Sequence, residues 1–130
     1  DKKRHLNLIE QLNQTFTYLT SFLAVRILID RHPKAVPFSL NLGTAGGSDI
    51  SSEGDGGIIA EVFSATNPKN NKKLEKDLQK VSDVEGVAHR YVFFMCPKCI
   101  EGLQPRRTDY PNVIIWGFSV SGVSHSLALS

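Results

Sequence analysis

Two carboxylates, Asp49 in "GGSDI" and Glu61 in "IIAEVF", stand twelve residues apart (61 minus 49), separated by the turn-forming run "SSEGDGG". Five of the six residues from Ile58 to Phe63 are apolar, and Glu61 is the sixth. Burying an unpaired carboxylate costs several kcal/mol, so Glu61 needs a partner. If a hairpin joins the two segments, both acids reach one end of a sheet, where their like charges repel unless a cation sits between them. A hard divalent ion, Mg²⁺ above all with Mn²⁺ able to substitute, takes oxygen ligands and is satisfied by one or two carboxylates plus water. Lys69, Lys72 and Lys73 follow the Glu61 strand closely. Two acids, a metal and a lysine can hold a phosphodiester and stabilise the charge that builds on phosphorus.

The elements that must position these groups are legible as hydrophobic periods. Ile9, Leu12, Phe16, Leu19 and Leu23 recur at helical spacing, predicting one long helix from Leu6 to about Asp30, ended by His32–Pro33 and Pro37. "FSLNLGTAGGSDI" reads as a strand running into a glycine bend and "IIAEVFSAT" as its hairpin partner. Asn67–Pro68 suits a helix start, and Leu74, Leu78 and Val81 form the apolar stripe of that second helix. "HRYVFFMC" and "NVIIWGFSV" are continuous apolar runs, as in strands covered on both faces. The order is α-β-β-α-β-β, an α/β fold in three layers with a mixed central sheet between helices. The 130 residues suit one domain. The start at Asp1 and the close on "SHSLALS" are compatible with a fragment of a longer chain.

On the residues of "GGSDI" and "IIAEVF", and on the order of elements over about residues 5 to 120, the chain resembles the PD-(D/E)xK nucleases, the restriction-endonuclease-like superfamily. Asp49 looks like the family's aspartate on the bent second strand, and Glu61 like the acid of its (D/E)xK half-motif. "VFF" at 92–94 is similar to the apolar strand after the family's helix. The resemblance implies a restriction-endonuclease-like core and a Mg²⁺-dependent DNA endonuclease, foremost of the type II restriction kind and a homodimer. It also implies an ion held by Asp49, Glu61 and the backbone carbonyl of Val62. The family's lysine falls at position 63, and here that position is Phe63. Some members move the lysine to the adjacent helix, which points to Lys73 first, then Lys69 and Lys72; Lys73 shares its helix side with Asp77 and Lys80. Glu10, on the first helix, is where some members carry an extra acid. Asp55 in "EGDGG" is first a turn residue and second a reserve ligand.

Arg106 and Arg107, beside Tyr110 in "LQPRRTDYP", are candidate DNA contacts, expected with Lys69 and Lys72 in a basic rim around the acids. Cys96 and Cys99 in "CPKC" are half of a zinc site at most. With His89 and His125 as ligands only by elimination, and no metal spacing among the four histidines, zinc there is not expected. Two cysteines fit a reducing, cytoplasmic compartment. No apolar run reaches membrane length, and no Walker loop or Ser-His-Asp pattern is present. A net charge of +2 does not by itself demand a nucleic acid. With Phe63 in the lysine's place, a non-catalytic nucleic-acid-binding or assembly module is the second reading.

Overall fold

The computed structural model describes residues 2–41, 47–65 and 71–120, with backbone alone at 2–10, 12, 13 and 71. Helix α1 spans Lys2–Arg31 and ends where His32 leaves helical geometry and Pro33 opens a 3₁₀ turn, Pro33–Ala35. Strands β1 (Ser39–Leu40), β2 (Ile50–Ser52) and β3 (Ile58–Ser64) follow. Helix α2 (Asn71–Asp83) then leads to β4 (His89–Cys96), β5 (Gly102–Leu103) and β6 (Val113–Ser119). Of the expected strand over "FSLNLGTAGGSDI", β1 and Ile50 are strand and residues 42–46 lie outside the described residues; β2 continues into Ser51 and Ser52, expected as part of the turn, and β5 is an addition.

The six strands form one mixed sheet in the order β1-β2-β3-β4-β6-β5. β2 and β3 are the expected antiparallel hairpin, while β3, β4 and β6 run parallel. Those three are the apolar runs of the sequence, and α1 and α2 cover their opposite faces, which is what makes continuous hydrophobic strands stable. On one face Ile58, Ala60, Val62, Tyr91, Phe93 and Met95 pack under Ala24 and Leu28 of α1. On the other Ile59, Phe63, Val92, Val113 and Ile115 pack under Leu78 and Val81 of α2. The period-two alternation of a strand assigns Glu61 to the α2 face.

The two helices reach the sheet by different means. α2 docks through the stripe anticipated from its spacing, with Leu78 and Val81 buried. α1 docks through the small residues Thr20, Ser21 and Ala24 together with Leu28, with Leu19 and Leu23 packed at the edge of that contact, while Phe16 stays 38% exposed. The hydroxyls of Thr20 and Ser21 donate to the carbonyls of Phe16 and Thr17, so their burial leaves no donor unpaired. Neither helix is long and apolar enough to cross a membrane.

Candidate functional site

Glu61 is the one buried carboxylate among the described residues, 2% exposed in the middle of β3. Its register neighbours are Val92 on β4 and, beyond it, Ile115 on β6, so apolar surface surrounds it within the sheet. β2 pairs with β3 only as far as Ile50 opposite Ala60, which leaves the β2 side of Glu61 and Val62 open. Asp49, the residue before β2, fills that opening. Its N–H donates to Glu61 Oε2 at 3.0 Å, and the N–H of Val62 donates to Asp49 Oδ2 at 2.8 Å. Each acid is thus clamped by a backbone amide from the other's strand. Since the N–H and C=O of one strand residue point to the same side, the Val62 carbonyl faces Asp49 as well.

A lysine closes the cluster from above. β3 and β4 are parallel, so α2 must carry the chain back over the sheet, and its second half returns above mid-β3. There the Lys80 ammonium forms an ion pair with Glu61 Oε1 and donates to the Gly47 carbonyl at 3.0 Å. Gly47 lies at φ +110°, a conformation that favours glycine, so the bend before Asp49 also shapes the lysine's second acceptor. Asp77, one turn earlier on α2, faces the same group and feels the charge of Glu61.

The electrostatics are those of a crowded anionic pocket. Burial pushes the Asp49 carboxyl up from 3.8 to about 7, helped by its hydrogen bond to Glu61 and that residue's charge. The Val62 amide and Lys80 pull the other way and lose. Burial, and then Glu61, likewise raise Asp77 to about 6. Lys80 is held above the usual lysine range, chiefly by its hydrogen bond to Glu61. With all groups ionised, three carboxylates and one ammonium leave a net charge of −2. Asp49 and Glu61, the two acids in direct contact, could share a hard divalent cation, which would relieve the repulsion that protonation relieves at lower pH.

The position where the resemblance calls for a lysine holds Phe63, 4% exposed and stacked on Phe94 at 5.6 Å. Residues 61 and 63 share a strand face, so an aromatic core residue fills the place and a helix lysine crosses the same face instead. That lysine is Lys80, on the helix side it shares with Lys73 and Asp77, and not one of the three that the resemblance points to. Lys72 and Lys73 are exposed, and neither forms an ion pair with the acids; Lys73 acts on the cluster through its charge near Asp77. Lys69 and the Asn67–Pro68 helix start lie outside the described residues, as does the side chain of Glu10.

The other candidates go elsewhere. Arg107 forms ion pairs with Glu75 and Asp109, and Arg106 donates to the Pro111 carbonyl at 3.0 Å. Tyr110 donates to Gln79, so the loop before β6 is docked on α2 rather than free beside the acids. Asp55 forms an ion pair with His32 near the start of β3, away from Asp49. Cys96 and Cys99 are free thiols at the far end of β4. Cys99 Sγ donates to the carbonyls of Cys96 and Phe118, and burial raises the thiol to about 11. His125 lies outside the described residues.

Comparison of the chain with protein-family models, curated proteins and solved structures gives no match. The chemistry of the cluster is therefore read from its geometry.

Proposed function

We propose that the chain is a divalent-metal-dependent endonuclease acting on DNA, with a restriction-endonuclease-like core whose lysine is delivered from α2 as Lys80. The observation that carries this reading is the buried Glu61 with Asp49 across an open strand edge and the Lys80 ammonium on its Oε1. Asp49 and Glu61, with the Val62 carbonyl, would hold Mg²⁺ or Mn²⁺, and the raised Asp49 carboxyl marks the charge such an ion would compensate. When bound, the ion supplies positive charge to the phosphate and makes water a stronger nucleophile.

The protein's own groups do the rest. Asp49 and Glu61, fixed by reciprocal amide hydrogen bonds, supply preorganised negative charge at a set position. Lys80 holds its ammonium beside Glu61, where a non-bridging phosphate oxygen would meet it, and stabilises the charge that grows there. Leu78 and Val81 pack on the sheet beside Glu61 and bury its side of the pair, while the Lys80 side chain stays half exposed. Glu61 first, and Asp49 and Asp77 more weakly, hold Lys80 in its charged form. Cutting both strands calls for two such sites related by a two-fold axis, so the proposal includes a homodimer on DNA.

Nicking of supercoiled plasmid in Mg²⁺, with EDTA as control, tests the reading. The parent should nick, and Asp49→Asn and Glu61→Gln should each abolish turnover while leaving the fold intact by circular dichroism. A parent that binds DNA but cuts in neither Mg²⁺ nor Mn²⁺ overturns the catalytic reading in favour of a binding module.

A further inference from the structure

A second cluster lies on the α1 face, at the start of the parallel strands. His32 follows α1, Asp55 sits in the β2–β3 turn, and His89 opens β4. Among the described residues these are the one group of three His, Cys, Asp or Glu side chains whose ligand atoms lie within 4.8 Å of one another. His32 Nδ1 is 2.5 Å from Asp55 Oδ2, His89 Nε2 is 3.5 Å from the same oxygen, and the two rings are 4.4 Å apart.

We propose that His32 Nδ1, His89 Nε2 and the Asp55 carboxylate bind one transition-metal ion of the zinc type. Two imidazoles and a carboxylate are a borderline donor set that suits Zn²⁺, Co²⁺ or Ni²⁺ and not Mg²⁺. Donors at about 2.0–2.2 Å from a four-coordinate ion lie on the order of 3.4 Å from each other. The His89–Asp55 spacing already has that value, and the His32–Asp55 contact opens by about 1 Å as the ion takes the place of the shared proton.

The surroundings are those of a supported ligand. Tyr91, fully buried, has its hydroxyl 2.6 Å from His32 Nε2, so a metal on Nδ1 leaves Nε2–H to donate to that oxygen. Such a partner on the far nitrogen fixes the orientation of a metal-bound imidazole. Arg31 also donates to the Tyr91 hydroxyl, at 3.1 Å, which keeps its oxygen in the acceptor role. Asp55 is the one described non-glycine residue at positive φ, +56°, and the turn thereby aims its carboxylate at the two rings. His32 is 8% exposed, while the side chains of His89 and Asp55 are 33% and 43% exposed, which provides an entry path on one side. The fourth position faces that side and is left to water. The ion would join the end of α1, the hairpin turn and the start of β4, and the inference is independent of the nuclease reading.

The test uses the full chain with Cys96→Ser and Cys99→Ser, which removes thiol ligands, and excess Mg²⁺, which competes at any site built of carboxylates alone. Zn²⁺ is titrated in competition with a chromophoric chelator, and Co²⁺ is substituted for its visible spectrum. The expected result is one Zn²⁺ per chain and a spectrum of nitrogen and oxygen ligands. His89→Ala and Asp55→Asn should each weaken binding by about 100-fold or more, and Tyr91→Phe by about 10–100-fold. Asparagine tolerates the left-handed conformation of residue 55, so Asp55→Asn keeps the test valid even if His89→Ala unfolds. Absence of stoichiometric Zn²⁺, or an affinity unchanged in Asp55→Asn, overturns the assignment.

Discussion

Asp49 and Glu61 show how a buried charge becomes a design element. The fold keeps a proton on Asp49 up to about pH 7, whereas the unfolded chain releases it near 3.8. Over that window the folded state binds more protons than the unfolded one, so this group's contribution to stability falls as pH rises from about 4 to about 7. Asp77, raised to about 6, adds to the same trend. In EDTA, urea unfolding of the parent relative to Asp49→Asn should show the parent losing ground between pH 5 and pH 8, and Mg²⁺ should restore it at the upper end. Identical pH slopes in the two proteins would mean that Asp49 is not held in the buried pair with Glu61. The partner of Glu61 was only half legible in the sequence. A carboxylate inside "IIAEVF" announces that it needs a cation, but the sequence neighbours of the strand end favoured Lys69, Lys72 and Lys73. The signal for Lys80 lay in the spacing of Lys73, Asp77 and Lys80 on one helix side, together with the reversal that a parallel β3–α2–β4 unit imposes.

Helix α2 is the element on which the site depends, because Lys80 lies in its last turn. That end is tied to the sheet: Arg90 of β4 donates to the carbonyl of Val81, in the last turn, at 3.0 Å and to that of Val84, just past the helix, at 2.7 Å. A guanidinium at a helix C-terminus also meets the negative end of the dipole. Arg90→Ala should cost about 1.5–3 kcal/mol in urea unfolding, the range for hydrogen bonds that involve a charged group. It should also slow cleavage, since a frayed last turn no longer holds Lys80 over Glu61; a variant with parental stability and rate would remove this coupling. α2 itself, the β2–β3 hairpin and the three parallel strands were all readable as periods and apolar runs. The docking face of α1 was only partly so: Leu19 and Leu23 of the expected stripe do pack on the core, but Phe16 stays exposed and the fully buried face is that of Thr20, Ala24 and Leu28. Hydrophobicity patterns do not register that a helix can approach closely through small residues whose hydroxyls are satisfied internally. The gathering of His32, Asp55 and His89 was equally invisible, because it is made by three distant segments and has no spacing to read.

At the scale of the whole molecule, two polar clusters occupy opposite faces of one sheet, with apolar layers under α1 and α2 between and around them. The net charge is only +2, so attraction to DNA must come from local cations. Lys72 and Lys73 are exposed near the start of α2, whereas Arg107 already has Glu75 and Asp109 as partners. Duplex binding should weaken with salt, and Lys72→Ala or Lys73→Ala should each reduce the log–log slope by about 0.9 if that side chain contacts a phosphate. Arg107→Ala should change it less, and a salt-independent affinity would exclude phosphate binding here. The central claim is that Lys80, delivered from α2, is the lysine of a metal-dependent nuclease site. It is tested most directly by single-turnover DNA cleavage in saturating Mg²⁺, comparing the parent with Lys80→Ala and Lys73→Ala at DNA concentrations where all are bound. The account predicts that Lys80→Ala cuts about 10²–10³-fold more slowly, the scale for one lost preorganised donor, while Lys73→Ala cuts like the parent. A Lys80→Ala protein that cuts at the parental rate, or a parent that does not cut, would contradict it.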